Sequence, residues 1–243
     1  MTRKARWVAG ITIAVVLVVG GAGFALWQVF GGDAPPPVAL TSLAPSSSAS
    51  ASASSGADSG TDGTWTIDDA TGSLADGSST YAGYRIEEQF SGIGANTVVG
   101  RTQNVTGSMT IHGTAITALD VTVDMTSLQS DKEQRDNSLR ERGLETDRFP
   151  TATFTLTQPI DVGEQPKDGQ TIDVTAVGDL TLHGVTKQVS VPIQAVMSGG
   201  EIQAVASLDV ALADYAIDPP TGFLVLSIAD TGTLELHLLF QQG

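Results

Sequence analysis

Glu88 and Arg101 are the two side chains whose types and spacing suggest chemistry. If Tyr84, Ile86 and Phe90 face the interior of a sheet, the two-residue period of a strand carries Glu88 inward with them. The same reasoning from Val99 and Val105 carries Arg101 and Gln103 inward. An unpaired buried charge is costly, so the arrangement implies either an internal Glu88–Arg101 pair or the polar mouth of a cavity, and either could seat a ligand headgroup. The competing reading is a one-residue slip that exposes both, or a pair with a purely structural role. The usual catalytic sets are missing: there is no Gly-x-Ser-x-Gly elbow, no His-Glu-x-x-His and no Gly-rich phosphate loop with its Lys. His112, His183 and His237 fall near strand ends or on the presumed outer face, without a second ligand at metal spacing, and read as exposed or structural. The chain has no cysteine, which removes disulfides, thiolate metal sites and thiol nucleophiles. No catalytic residue, metal or cofactor is expected, and the chain is not read as an enzyme.

The elements that must position these groups are strands. Alternation is visible at Val121, Val123, Met125, at Val189, Val191, Ile193, Ala195, Met197, and at Leu234, Leu236, Leu238, Phe240. Gly113, Ser198-Gly199-Gly200 and Asp230-Thr231-Gly232 supply turns between such runs, which favours antiparallel connections and an all-β barrel or sandwich. Pro192 lies inside a good strand and marks an edge, a bulge or a wrong register. One helix interrupts the rhythm. Ser130-Asp131-Lys132-Glu133 has the form of a capping box, and Asp131 with Arg135 and Asp136 with Arg140 are spaced as helical ion pairs, predicting a short helix over 131–143 that ends at Gly143.

Ahead of the strands the composition changes twice. Residues 8–30 carry no charged side chain and as a helix would reach roughly 34 Å, enough to cross a bilayer. Arg3, Lys4 and Arg6 precede them and no other Lys or Arg occurs before Arg85, so residues 1–7 are placed in the cytoplasm and the remainder outside, as a single-pass protein of the cell membrane. A cleaved signal peptide is the alternative, with Gly20, Ala22 and Ala25 small enough for processing. The Gly20-Gly21-Ala22-Gly23 cluster would let two such helices approach, which allows for a homodimer. Residues 31–63 are rich in Ser, Ala, Pro, Gly and Thr and read as a disordered linker of roughly 30 Å average reach. Residues 64–243 form the displayed domain. The chain has 12 Lys and Arg against 27 Asp and Glu, and three of the 12 precede the apolar segment, so the displayed part is acidic; its surface repels phosphate backbones and anionic headgroups, which argues against nucleic acid as a partner.

Several segments, in order, resemble the YceI-like, polyisoprenoid-binding family. They are the opening Trp65-Thr66-Ile67-Asp68; then Ser127-Leu128, Ser130, Arg135-Asp136 and Leu139; then Phe149-Pro150-Thr151-Ala152-Thr153-Phe154; and Gly178-Asp179-Leu180-Thr181-Leu182-His183-Gly184-Val185-Thr186-Lys187. The resemblance covers nearly all of 64–243. It implies a lipocalin-like antiparallel β-barrel with one short helix, enclosing an apolar pore for an isoprenoid, isoprenoid quinone or other lipid tail, and it implies binding or carriage, not turnover. Arg135-Asp136 would then mainly fix the helix and its loop. The chain departs from the family pattern at Gly143-Leu144, where a pair of Phe is usual, and at Tyr84-Arg85-Ile86-Glu87-Glu88, which is less apolar. Combined with alternation, the expected tail contacts are Phe90, Val121, Val123, Met125, Phe154, Leu156 and Leu180, with Glu88 and Arg101 at the headgroup. A filled barrel acting as a structural or protein-interaction module of the cell envelope is the other reading.

Overall fold

The computed structural model of the chain describes residues 34–40, 61–91, 94–221 and 225–243. The expected transmembrane segment 8–30 lies outside them, and among the described residues no helix is long and apolar enough to cross a membrane.

Among the described residues twelve strands form one antiparallel sheet that closes on itself. Eight of them make the ring: β1 (Gly63–Ile67), β4 (Val105–His112), β5 (Ala115–Asp124), β6 (Thr151–Leu156), β8 (Thr171–Leu182), β9 (Val185–Ser198), β10 (Glu201–Ala211) and β12 (Thr231–Gln242), in that order. Closure comes from β12, whose residues Phe240 to Gln242 pair with Ile67 to Trp65 of β1. Lower on the same edge of β12, Thr233 to His237 pair with Arg85 to Tyr81 of β2 (Tyr81–Phe90), which carries β3 (Gly94–Thr102) and the short β11 (Val225–Ile228). The two-residue β7 (Ile160–Asp161) pairs with β5.

Turn chemistry sets the register. His183 and Gly184 lie between the paired residues Leu182 and Val185 and both have positive φ, as a two-residue type I′ hairpin requires. Gly199 and Gly200 close β9 to β10 in the same manner. Pro192 pairs with Thr175 on the β8 side, while the β9–β10 ladder stops at Ile193; the missing N–H therefore costs that ladder nothing. The wall begins at Gly63, just ahead of the expected boundary, and Trp65 donates its indole N–H to the carbonyl of Thr61 at 2.9 Å.

The helix is shorter and differently capped than 131–143. Helix α1 spans Glu133–Ser138 and is followed by a π-helical turn, Leu139–Gly143. Ser130 does not cap Glu133. Its hydroxyl and its backbone N–H both donate to the Asp136 carboxylate, at 2.6 and 2.9 Å, so Asp136 is tied to the entering loop instead of to Arg140. Asp131 and Arg135 do form the expected ion pair.

The inner faces carry the core. Trp65, Val105, Met109, Leu119, Val121, Leu180, Leu238 and Phe240 are among the buried residues of one continuous cluster, which Leu234 and Leu236 join from β12. Two inward aromatic rings rest on glycines of a neighbouring strand. A Cβ on Gly178 would come within 2.4 Å of the Phe154 ring, and one on Gly100 within 2.4 Å of the Tyr84 ring.

Candidate functional site: an apolar cavity and its polar mouth

The inward side chains do not fill the ring. A cavity of about 260 Å³ runs along the barrel interior. At one end it is bounded by Thr114, Gln170, Ile172 and Met197, and at the other by Leu139, Gly143, Leu144 and Pro220, so it follows the strands from hairpin end to helix end. Its walls are apolar: Ile193, Ala204, Leu208, Leu234, Leu236 and Leu238 supply one side, Met109, Leu119, Val121 and Phe154 the other. Gly143 is the small residue that leaves room at the helix end, because a Cβ there would press on Leu139 at 3.0 Å and on Pro220 at 3.3 Å.

Of the expected tail contacts, Val121, Val123, Met125, Phe154 and Leu180 line this cavity. Two do not. Phe90 is buried, at 3% exposure, but lies at the far end of β2 opposite Gly94 and Val225, beyond the cavity. Leu156 packs against Ile160, Ala176 and Val191 and does not itself line the cavity.

The Glu88–Arg101 pair does not form. Glu88 faces inward as expected and lines the cavity, but its partner is Arg135 of α1, with Arg135 Nε 3.7 Å from Glu88 Oε2. Arg135 also holds Asp131, so the helix brings one guanidinium between two carboxylates. Burial raises the Glu88 carboxyl above its usual range, and Arg135 pulls against that rise. Beside it the Tyr84 hydroxyl is fully buried with no hydrogen-bond partner among the described residues, and burial pushes its pKa up, keeping it neutral. An orphaned phenol and an Arg–carboxylate pair at the helix end of an apolar tube make a place for a small polar group at the end of a long apolar molecule.

Arg101 lies on the opposite face. It is paired across the β2–β3 ladder with Gly83, in line with Arg85 and Val99, and it points away from the cavity. Its Nη2 is 3.2 Å from Glu235 Oε2, while Arg85 Nε is 3.0 Å from Glu235 Oε1. Its guanidinium also sits 4.4 Å from the Tyr81 ring centre, and Tyr81 stacks on His237 at 5.4 Å. His237 is fully buried. Its Nδ1 donates to the Ser79 carbonyl at 2.7 Å, which leaves Nε2 to accept from the Gln203 amide at 2.6 Å, and burial lowers its pKa. The histidine is structural, as one of its two readings held. Of the others, His112 is exposed and His183 is held between Glu145 and the Tyr215 carbonyl. Sequence reasoning missed Arg135 as the partner of Glu88, since 47 residues separate them and Arg135 already had a helical partner at Asp131.

With this geometry in view, comparison with known proteins is decisive on ancestry. The YceI-like domain family matches residues 65–240. The chain belongs to that family. It is 31% identical over 129 residues to Protein YceI of Shigella flexneri, an alignment covering 52% of this chain and 61% of that protein. The chain thus spans about three fifths of the length of the curated relatives it matches. Among solved structures it resembles a polyisoprenoid-binding domain from Saccharophagus degradans, at TM-score 0.55 and 16% identity over 74% of this chain and 98% of that one. It also resembles BcnA of Burkholderia cenocepacia, at TM-score 0.51 and 17% identity over 69% of this chain and 98% of that one. At these identities the likeness is one of fold: this chain has the YceI-like barrel.

Proposed function

We propose that this YceI-like domain binds a polyisoprenoid or similar long aliphatic chain in the barrel interior, for carriage or storage, without turning it over. The observation that carries the reading is the open tube itself. A barrel whose only task is to be rigid gains by filling its core, whereas this one leaves about 260 Å³ between apolar walls. An apolar lining offers a flexible hydrocarbon chain burial along its length, and the Glu88–Arg135–Tyr84 corner offers a polar terminus one anchoring point. The polyisoprenoid-binding description of the Saccharophagus domain supports the ligand class. The apolar segment 8–30, with its cytoplasmic-side charges, supports placing the domain on the outer side of the cell membrane.

The test is organic-solvent extraction and mass spectrometry of the full chain purified from its native envelope, beside an unrelated protein handled alike. A stoichiometric isoprenoid or fatty chain is expected. No bound lipid and no uptake of added polyprenyl compounds would leave the protein-interaction module as the better reading. Ala204→Phe, which places a ring in the cavity, is expected to cut lipid uptake by at least about tenfold while costing about 1–3 kcal/mol or less in stability.

A further inference from the structure

Residues 34–40, Ala-Pro-Pro-Pro-Val-Ala-Leu, belong by composition to a spacer, yet they lie against the outer wall of the barrel. The contacts follow the chemistry of the segment. Prolines offer carbonyls and no N–H, and the wall meets them with donors: Arg85 Nη2 donates to the Pro35 carbonyl at 2.8 Å and Arg101 Nη2 to the Pro36 carbonyl at 3.1 Å. Val38 is the first residue after the triplet with an N–H. There the wall supplies an acceptor, and the Val38 N–H donates to Glu235 Oε1 at 3.3 Å. Val38 and Leu40 are half-buried while the three prolines and Ala39 are exposed, so one side of the segment faces the barrel.

The receiving groups are preorganised. Glu235 is held by both arginines, and Arg101 is braced on Tyr81, all through contacts that do not involve the peptide. The triplet brings its own order, because proline fixes φ and leaves little conformational freedom to lose.

We propose that the outer wall of β2, β3 and β12 is a recognition site for a proline-rich segment, built from Arg85, Arg101 and Glu235, and that its occupant is residues 34–40 of the same chain, which it fastens as a strap. The strap divides the spacer. Only four residues lie between Phe30 and Pro35, five steps along the chain with a reach of at most about 18 Å, so where the apolar segment is embedded, as the anchor reading has it, the barrel rides with this flank close to the bilayer instead of swinging at the end of the whole tether. The recognition site itself does not depend on the anchor or on the lipid.

The experiment is residue-resolved amide hydrogen exchange on the full chain in detergent. The Val38 amide is expected to exchange at least about tenfold more slowly than in a free peptide of residues 33–41. Arg85→Met is expected to remove most of that protection while amides of β6 and β8, on the far side of the ring, keep theirs and so report an intact fold. Exchange of Val38 at the free-peptide rate overturns the proposal, as does protection untouched by Arg85→Met. Protection that grows with protein concentration overturns the occupant, assigning the strap to a second copy.

Discussion

The two faces of β12 are built on opposite plans. Inward, Leu234, Leu236, Leu238 and Phe240 border empty space; outward, Glu235, His237 and Leu239 are 1%, 0% and 2% exposed and covered by neighbouring side chains. In most half-buried strands the face with the hydrophobic residues is the tight one. Here the tighter face is the polar one outside, and the inner face is the loose one. A protein that keeps a cavity must find its rigidity elsewhere, and this wall finds it in the network of Glu235, Arg85, Arg101, Tyr81, His237 and Gln203.

The largest effect that would break this contrast is expected from Glu235→Ala. It strands two arginines on a buried face, and removing one side of a buried ion pair costs about 3–5 kcal/mol. Denaturant unfolding should show that loss, and a change under about 1 kcal/mol would mean that the network is ornamental.

A paired comparison sharpens the point. Leu239→Ala on the outer face is expected to cost about 3 kcal/mol, within the range for a fully packed leucine. Leu236→Ala on the inner face should cost about 1–2 kcal/mol, since its neighbours on the cavity side are already absent. Equal losses would mean that the cavity is closed in solution or constantly filled.

Smaller still is the response to pH. His237 has its pKa lowered by burial, so the unfolded chain binds a proton that the folded chain resists; stability is complete above the ordinary histidine value of about 6.5 and declines as pH falls below it. Glu88 acts in the other sense: its raised pKa favours the folded state at low pH, and that advantage is lost as pH rises from the ordinary carboxylate range through the raised value. Thermal melts from about pH 4 to about pH 8 should therefore flatten on the acid side in His237→Gln, and Glu88→Gln should steepen the gain in stability between about pH 4 and about pH 6. Parallel curves for wild type and variants would remove both groups from the account.

How far these features were legible in the sequence depended on whether one face of a strand was polar and exposed. For β12 and β5 alternation assigned the inner wall correctly, because Leu234, Leu236 and Leu238 alternate with Glu235 and His237, and Val121 and Val123 flank Thr122. For β3 it misled. Val98 and Val99 are 1% and 9% exposed, both neighbours being apolar and covered, so the pattern carries no phase, and Arg101 was placed inside when it stands outside. Glu88 was placed on the right face with the wrong partner, since a pair between a strand and a distant helix leaves no periodic trace. Residues 34–40 read as spacer because composition reports that a segment has no core of its own, and says nothing about whether a neighbouring wall has donors waiting for its carbonyls.

The position of β12 has a consequence for assembly. One of its edges pairs with β10, and its other edge is shared between β1 and β2, so three strands from distant parts of the chain wait for it. It is also the last of the described strands to be made. Until it docks, the remaining strands can form at most an open trough, with its apolar floor exposed along its length; on docking, the trough becomes a tube. A long molecule can be laid into a trough sideways, whereas it must be threaded into a tube through an end. Loading during folding and loading afterwards are thus different physical events, and the final strand is the latch that separates them.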